Sequence, residues 1–288
     1  MKKILGLILL GALFAFAPSS VFAATYTTST NWFSTTNLNH LNVIGKNIIK
    51  ANNMPSTVSF KVTDNENMNS DIAATTQVVY IYSGELKYVE NDNELAAVVA
   101  HEIGHIVNGH NAKSTMLNNA ISSFNPTTTT NKGATTVSLL KTISTNKISK
   151  SNQKEADITA VDLLANAKYN PLALISVVYK ADAQKDGGVL DDDMSCEDRI
   201  LNIYDYANYN YPNTVKASYK TDSYQKAYGL INANLQIRKT NAKKLAQVKK
   251  TQEKLKKEKL KRVRNMAKST NPWSSAYSLI ELNNTVNK

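Results

Sequence analysis

The sequence predicts a mainly helical α+β fold with a small β-sheet and a long charged helix at its carboxy-terminal end. Three observations carry this expectation. Apolar residues recur at helical spacing in several separate segments. Only two short stretches alternate as strands do. The positive charge is concentrated in one run near the end of the chain.

The elements follow in order. Lys2 and Lys3 precede an apolar run from Ile4 to Ala17, and Val21, Phe22 and Ala23 form a small-x-small cleavage site. This pattern predicts a secretory signal peptide over 1–23, cleaved after Ala23, and hence export to a periplasm or the extracellular space. Leu41, Ile44, Ile48 and Ile49 give the stretch from Leu38 to Ala51 a helical apolar face. Val58 to Val62 alternates, and Gln77 to Tyr82 is β-branched and aromatic, so both read as strands, the second ended by Ser83 and Gly84. Asn91, Asp92 and Asn93 supply an amino-terminal cap, after which Leu95 to Ala100 runs without a breaker into His101. A helix apolar nearly all round is a buried one.

Residues 111–150 are rich in Thr, Ser and Asn and read as a loop or loosely packed insertion. Helical periodicity returns from Gln153 to Lys168, stops at Tyr169-Asn170-Pro171, and resumes from Leu172 to Ala183. A shorter helical pattern covers Arg199 to Tyr206, and a long, charged, solvated helix is expected from about Leu235 to Ala267. After the signal peptide, the expected organisation is one core domain over 24–234 and a basic helical extension over 235–288.

Composition narrows the function classes. Cys196 is the only cysteine, so no intramolecular disulfide forms, and no histidine lies near it in sequence to activate it as a nucleophile. The net charge is +11, yet Arg238 to Lys268 alone holds fourteen Lys and Arg against Glu253 and Glu258, an excess larger than that of the whole chain. The remainder is nearly neutral. Such a run is either simply solvated or meets an anionic partner: for an exported protein, a membrane or glycan surface or an acidic protein rather than nucleic acid, since no aromatic residues interleave the charges to stack on bases. A thin apolar stripe of Leu245, Val248, Leu255 and Leu260 also suits helix pairing.

His101-Glu102-Ile103-Gly104-His105 carries the chemistry. Residues four apart share one helical face, so both imidazoles reach a single tetrahedral Zn²⁺. Glu102 projects beside the metal, placed to take a proton from an attacking water and hand it to the leaving amine. One zinc per chain and peptide-bond hydrolysis by a metalloendopeptidase are the expectation.

These residues resemble the M48 peptidases, a family that includes the CAAX prenyl-protease and periplasmic quality-control metalloproteases. Asn93 to His105, with His110 following, is similar to the family's zinc helix almost position for position. Ser149 to Asp157, then Ala167 to Pro171, resembles its second helix and the turn that ends it, and Tyr80 to Leu86 resembles the strand entering the zinc helix. The similarity covers roughly residues 40–212. It implies a zincin-like core with His101 and His105 as ligands, Glu102 as the catalytic residue and Asp157 supporting a zinc histidine from behind. The family's third ligand is a glutamate four residues before that Asp, where this chain has Gln153. Either Gln153 coordinates weakly, or the helix shifts to offer Glu155 as the metal ligand, or affinity is reduced. Relatives also carry a His-Pro pair six residues before the position of Arg199, where Asp193 and Met194 stand here.

His110, five residues past His105, is expected to point away from the metal as a structural residue, and His40 to lie at the surface. The resemblance implies unfolded or misassembled envelope proteins as substrates. The alternative is a catalytically weakened, protease-like chaperone or binding protein anchored through the basic helix.

Overall fold

The computed structural model describes residues 25–27, 29–56, 58–64, 72–73, 78–110, 150–183, 195–216 and 219–286. The signal peptide, the 111–149 stretch of the insertion, and Asp193 with Met194 lie outside the described residues.

Helix α1 (Thr35–Ala51) begins where Ser34 caps it, the Ser34 hydroxyl accepting from the Asn37 N–H at 3.3 Å. It buries Leu41, Ile44, Ile48 and Ile49, the face that the apolar spacing marks out. Strands β1 (Ser59–Thr63) and β3 (Val78–Tyr82) are parallel, with Ser59 opposite Val78 and Thr63 opposite Tyr82. The two-residue β2 (Ile72–Ala73) pairs antiparallel to β3, so the sheet order is β1-β3-β2. Ser83 and Gly84 do not simply end the strand. They open a single helical turn, α2 (Ser83–Leu86), whose Leu86 is fully buried.

Helix α3 (Asp92–Asn108) is capped by the Asn91 side chain, which accepts from the N–H groups of Asn93 and Glu94. It runs through the middle of the molecule, packed on α1, on β3, and on α5 (Ala173–Ala183). Helix α4 (residues 150–166) crosses it, and Asn52 ties α4 to the end of α1 by donating to the Leu163 carbonyl at 3.1 Å. Helices α6 (Cys196–Asn210) and α8 (Asp222–Thr240) pack on α5, and the short α7 (Pro212–Lys216) packs on α6. Among the described residues no helix is long and apolar enough to cross a membrane.

The expected single helix from about Leu235 to Ala267 is two helices, because the backbone is extended at Asn241, which ends α8 and caps α9 (Ala242–Met266) through its own side chain. Most of the first half of α9 is solvated, with Gln252 buried, and Val263 and Met266 enter the core further along. The chain then turns into α10 (Pro272–Val286), which packs on α9 and on α3. Trp273 and Tyr277 are buried there. Lys259 is drawn inward to Asp162, donating to its Oδ2 at 2.7 Å, and it also pairs with Glu281. Burial alone would lower the Lys259 ammonium, but Asp162 and Glu281 outweigh it and raise its pKa. Tyr206, Tyr211 and Tyr277 donate to the same Asp162 carboxylate, which leaves this buried charge fully surrounded by donors.

Candidate metal centre

Two close approaches build the site. The first is between α3 and α4. A Cβ on Gly104 would lie 2.8 Å from the Ala156 carbonyl oxygen, so only glycine lets the helices meet this closely. Asn108 locks the crossing from below, donating to the Gly104 carbonyl at 2.7 Å and to the Thr159 hydroxyl at 2.9 Å. The second is at the exit of α3, where Gly109 adopts the left-handed conformation, φ 64° and ψ 36°. The helix stops there.

On this frame the imidazoles of His101 and His105 meet edge to face, their Nε2 atoms 3.1 Å apart. Gln153 from α4 brings its Oε1 to 3.1 Å from His101 Nε2. A nitrogen of His105 and an oxygen of Gln153 therefore both lie 3.1 Å from His101 Nε2. Donors around a tetrahedral zinc at ~2.0–2.1 Å sit about 3.3 Å from one another, so the spacing fits a metal of that size. Among the described residues no three His, Cys, Asp or Glu side chains group in this way, which follows from the third donor being an amide.

Burial, then the neighbouring His101 and His110, push the His105 imidazole down to about 2, so it stays neutral with a lone pair to give. Behind His101, Asp157 Oδ1 lies 3.0 Å from its Nδ1, a contact of ion-pair distance that is bent away from a straight hydrogen bond. Arg199, in the first turns of α6, grips Asp157 with two parallel bonds, Nε to Oδ2 at 3.0 Å and Nη2 to Oδ1 at 2.8 Å. Burial would raise the Asp157 carboxyl, but Arg199 and His101 hold it well below the usual carboxylate range. A carboxylate behind the ring, on the side away from Gln153 and His105, is the arrangement that orients a metal-binding histidine.

Glu102 is buried at 3% exposure, next in the chain to His101. Glu155 is not part of the converging set. Gln153 and Asp157 share one face of α4, and Glu155, half a turn round, points instead to His110 Nε2 at 3.4 Å and to Arg262 at 3.5 Å. Glu155 is thus turned to His110 rather than to His101, and the side chain of α4 that faces His101 is Gln153. His110 does not point away as helical counting predicts. It is 2% exposed, with Nδ1 only 3.0 Å from Nδ1 of His105. The signal that finds it is Gly109, which ends the 100°-per-residue progression one residue earlier. His40 lies away from the site and contacts Asp92 at 3.0 Å.

A model of peptidase family M48 matches residues 36–268. The chain belongs to peptidase family M48. At the family level it is a metalloprotease, and M48 peptidases are generally zinc-dependent. Over 76 residues it is 30% identical to the beta-barrel assembly-enhancing protease of Yersinia pestis, a stretch that is 26% of this chain. The chain spans about 15% of the length of that relative. The fold, mainly helical with a small sheet, is in keeping with the M48 assignment.

Proposed function

We propose that this M48 protein is a zinc-dependent metalloendopeptidase that cuts misfolded or misassembled proteins of the cell envelope. The observation that carries the reading is the convergence of His101 Nε2, His105 Nε2 and Gln153 Oε1, with Glu102 next in the chain. Zinc, if held there, would supply Lewis acidity towards a peptide carbonyl and a water molecule. His101 and His105 would hold that ion, with Asp157 and Arg199 behind His101, and Glu102 would take the proton from the attacking water and pass it to the departing amine. Export is supported by the basic and apolar pattern before Ala23, and an envelope substrate by the relative's part in β-barrel assembly. Lys243, Lys244, Lys249, Lys250, Lys254 and Lys257, all exposed on α9, support an anionic membrane or glycan surface as a second contact.

The neutral Gln153 favours a second reading, a weakened enzyme that binds unfolded chains and turns them over slowly. One experiment separates the two. Purified mature protein is assayed for zinc content and for casein degradation, beside Glu102→Gln, His101→Ala and His105→Ala. The first reading expects one zinc per chain, its loss in both histidine variants, and a fall in proteolysis of several orders of magnitude in Glu102→Gln with the zinc kept. Casein degradation at the same rate in Glu102→Gln would remove Glu102 from the mechanism.

A further inference from the structure

We propose that the cavity between α6, α9 and α10 is a binding site for the free carboxy-terminal end of a polypeptide whose last residue is apolar. The site is separate from the metal centre, since none of His101, Glu102, His105, Gln153, Asp157 and Arg199 lines it. It stands whether or not the chain holds zinc.

The cavity, of about 410 Å³, lies where the end of α6 meets the middle of α9 and the last turns of α10. Pockets that take small ligands span ~300–1,000 Å³, so a short stretch of chain fits. On α9, Gln252, Lys256, Leu260 and Val263 line it at intervals of three or four residues, which places them on one helical face. Tyr206, Tyr209, Tyr211 and Pro212 supply the wall from α6 and the start of α7.

What these side chains leave unmatched defines the ligand. The Tyr206 and Tyr211 hydroxyls both donate to Asp162 Oδ1, at 2.8 and 2.7 Å, so their protons are already used. The Lys259 ammonium is likewise committed, to Asp162, to the Tyr206 hydroxyl and to Glu281. Gln252 is the exception. It is 5% exposed, and its Oε1 is buried with no donor facing it among the described residues. A buried acceptor in this state costs stability, and a ligand N–H that reaches it removes the cost.

At the rim, Lys256 is exposed and has no carboxylate partner among the described residues. Leu260 is shared with a neighbouring cleft, which Lys257, Lys261, Arg264 and Lys268 line without an acidic side chain. The complement is therefore an apolar group, one N–H, and an anion at the mouth. A chain terminus carries all three, as its last side chain, its last amide and its α-carboxylate. A fatty acid has no N–H for Gln252. An acidic sugar would bring several hydroxyls to tyrosine walls whose own hydroxyls are paired, and each one left unpaired costs affinity.

The probe is the peptide Gly-Ser-Gly-Ser-Phe with fluorescein on its amino end and a free carboxylate. It is titrated with the full-length chain and read by fluorescence anisotropy, and its integrity is checked by mass spectrometry. Saturable binding is expected, weaker by roughly 3–10-fold for the same peptide with a carboxamide end, which cannot pair with Lys256. Lys256→Met should erase the difference between the two peptides. Gln252→Leu removes the acceptor and should weaken binding of the carboxylate peptide about 10-fold. The same variant should melt roughly 2–4 °C higher, because no unpaired amide oxygen remains buried. Equal binding of the two peptides by the wild-type chain overturns the proposal, as does a Gln252→Leu variant that binds as the wild type does. Absence of saturable binding overturns it too, and decanoate or trigalacturonate binding in the peptide's place would show which other class the cavity takes. If Gln252→Leu does not fold, the two peptides and Lys256→Met still decide.

Discussion

At the scale of the residue, the replacement of a carboxylate by an amide at position 153 changes the charge of the site and little of its shape. Gln153 already places an oxygen 3.1 Å from His101 Nε2, so a glutamate there would reach the same point with a full negative charge. Gln153→Glu is expected to tighten zinc binding about 10–100-fold, read by chelator competition, and to raise proteolysis. An affinity equal to wild type would mean that position 153 does not face the metal. The histidine pair and its glutamate were legible from spacing alone, because four residues on a helix is a fixed geometry. The third donor was legible only as a position, since an amide carries no metal signature of its own. His110 was hidden by an assumption of helix continuity that Gly109 breaks. Arg199 marked a place in the chain, but its grip on Asp157 joins residues 42 apart, a distance no local pattern reports.

At the scale of the element, the site depends on how closely α3 and α4 cross. Periodicity found both helices, the cap of α3 and the two longer strands, because each is a local property of its own segment. It could not find β2, which is too short to show a period and exists through its pairing with β3. Nor did it show which glycine mattered. Gly104 lies inside a helix with its neighbour's backbone against it, and Gly104→Ala would bring a methyl group to 2.8 Å from a carbonyl oxygen that cannot move independently of α4. The helices must part by a few tenths of an ångström. The expected cost is about 1–3 kcal/mol of stability in denaturant unfolding, with a loss of zinc affinity as Gln153 withdraws. A variant as stable as wild type that binds zinc equally well would show that the crossing has slack.

At the scale of the whole molecule, the charged carboxy-terminal run joins the body of the protein. Charge patterning showed an exposed cationic face, and that face is present on α9. It did not show that Lys259 turns inward to a buried carboxylate 97 residues earlier, because a lysine in a lysine-rich helix looks like all the others. Deleting residues 235–288 strips Val263, Met266, Trp273 and Tyr277 from the core and leaves Asp162 without its ammonium. Leaving a buried charge without its partner costs about 3–5 kcal/mol, so the truncated chain should be aggregated or should melt well below the full chain, as followed by circular dichroism. A soluble truncation with the same midpoint and the same zinc content would make the segment a separable appendage.

The contacts of α10 also set an order in time. Ser274 binds the carbonyl of Val107, 167 residues before it, and Tyr277 binds Asp162, 115 residues before it. Asn271 holds the carbonyl of Ile106 beside them. A ribosome adding about 5–20 residues per second needs on the order of ten seconds or more to travel from the metal histidines to these residues. Throughout that interval the chain possesses its donor side chains but not the groups that clamp the end of the helix bearing them. The clamp on the end of α3 is therefore completed long after its histidines have been made, so that synthesis of the donor side chains runs ahead of the contacts that hold their helix.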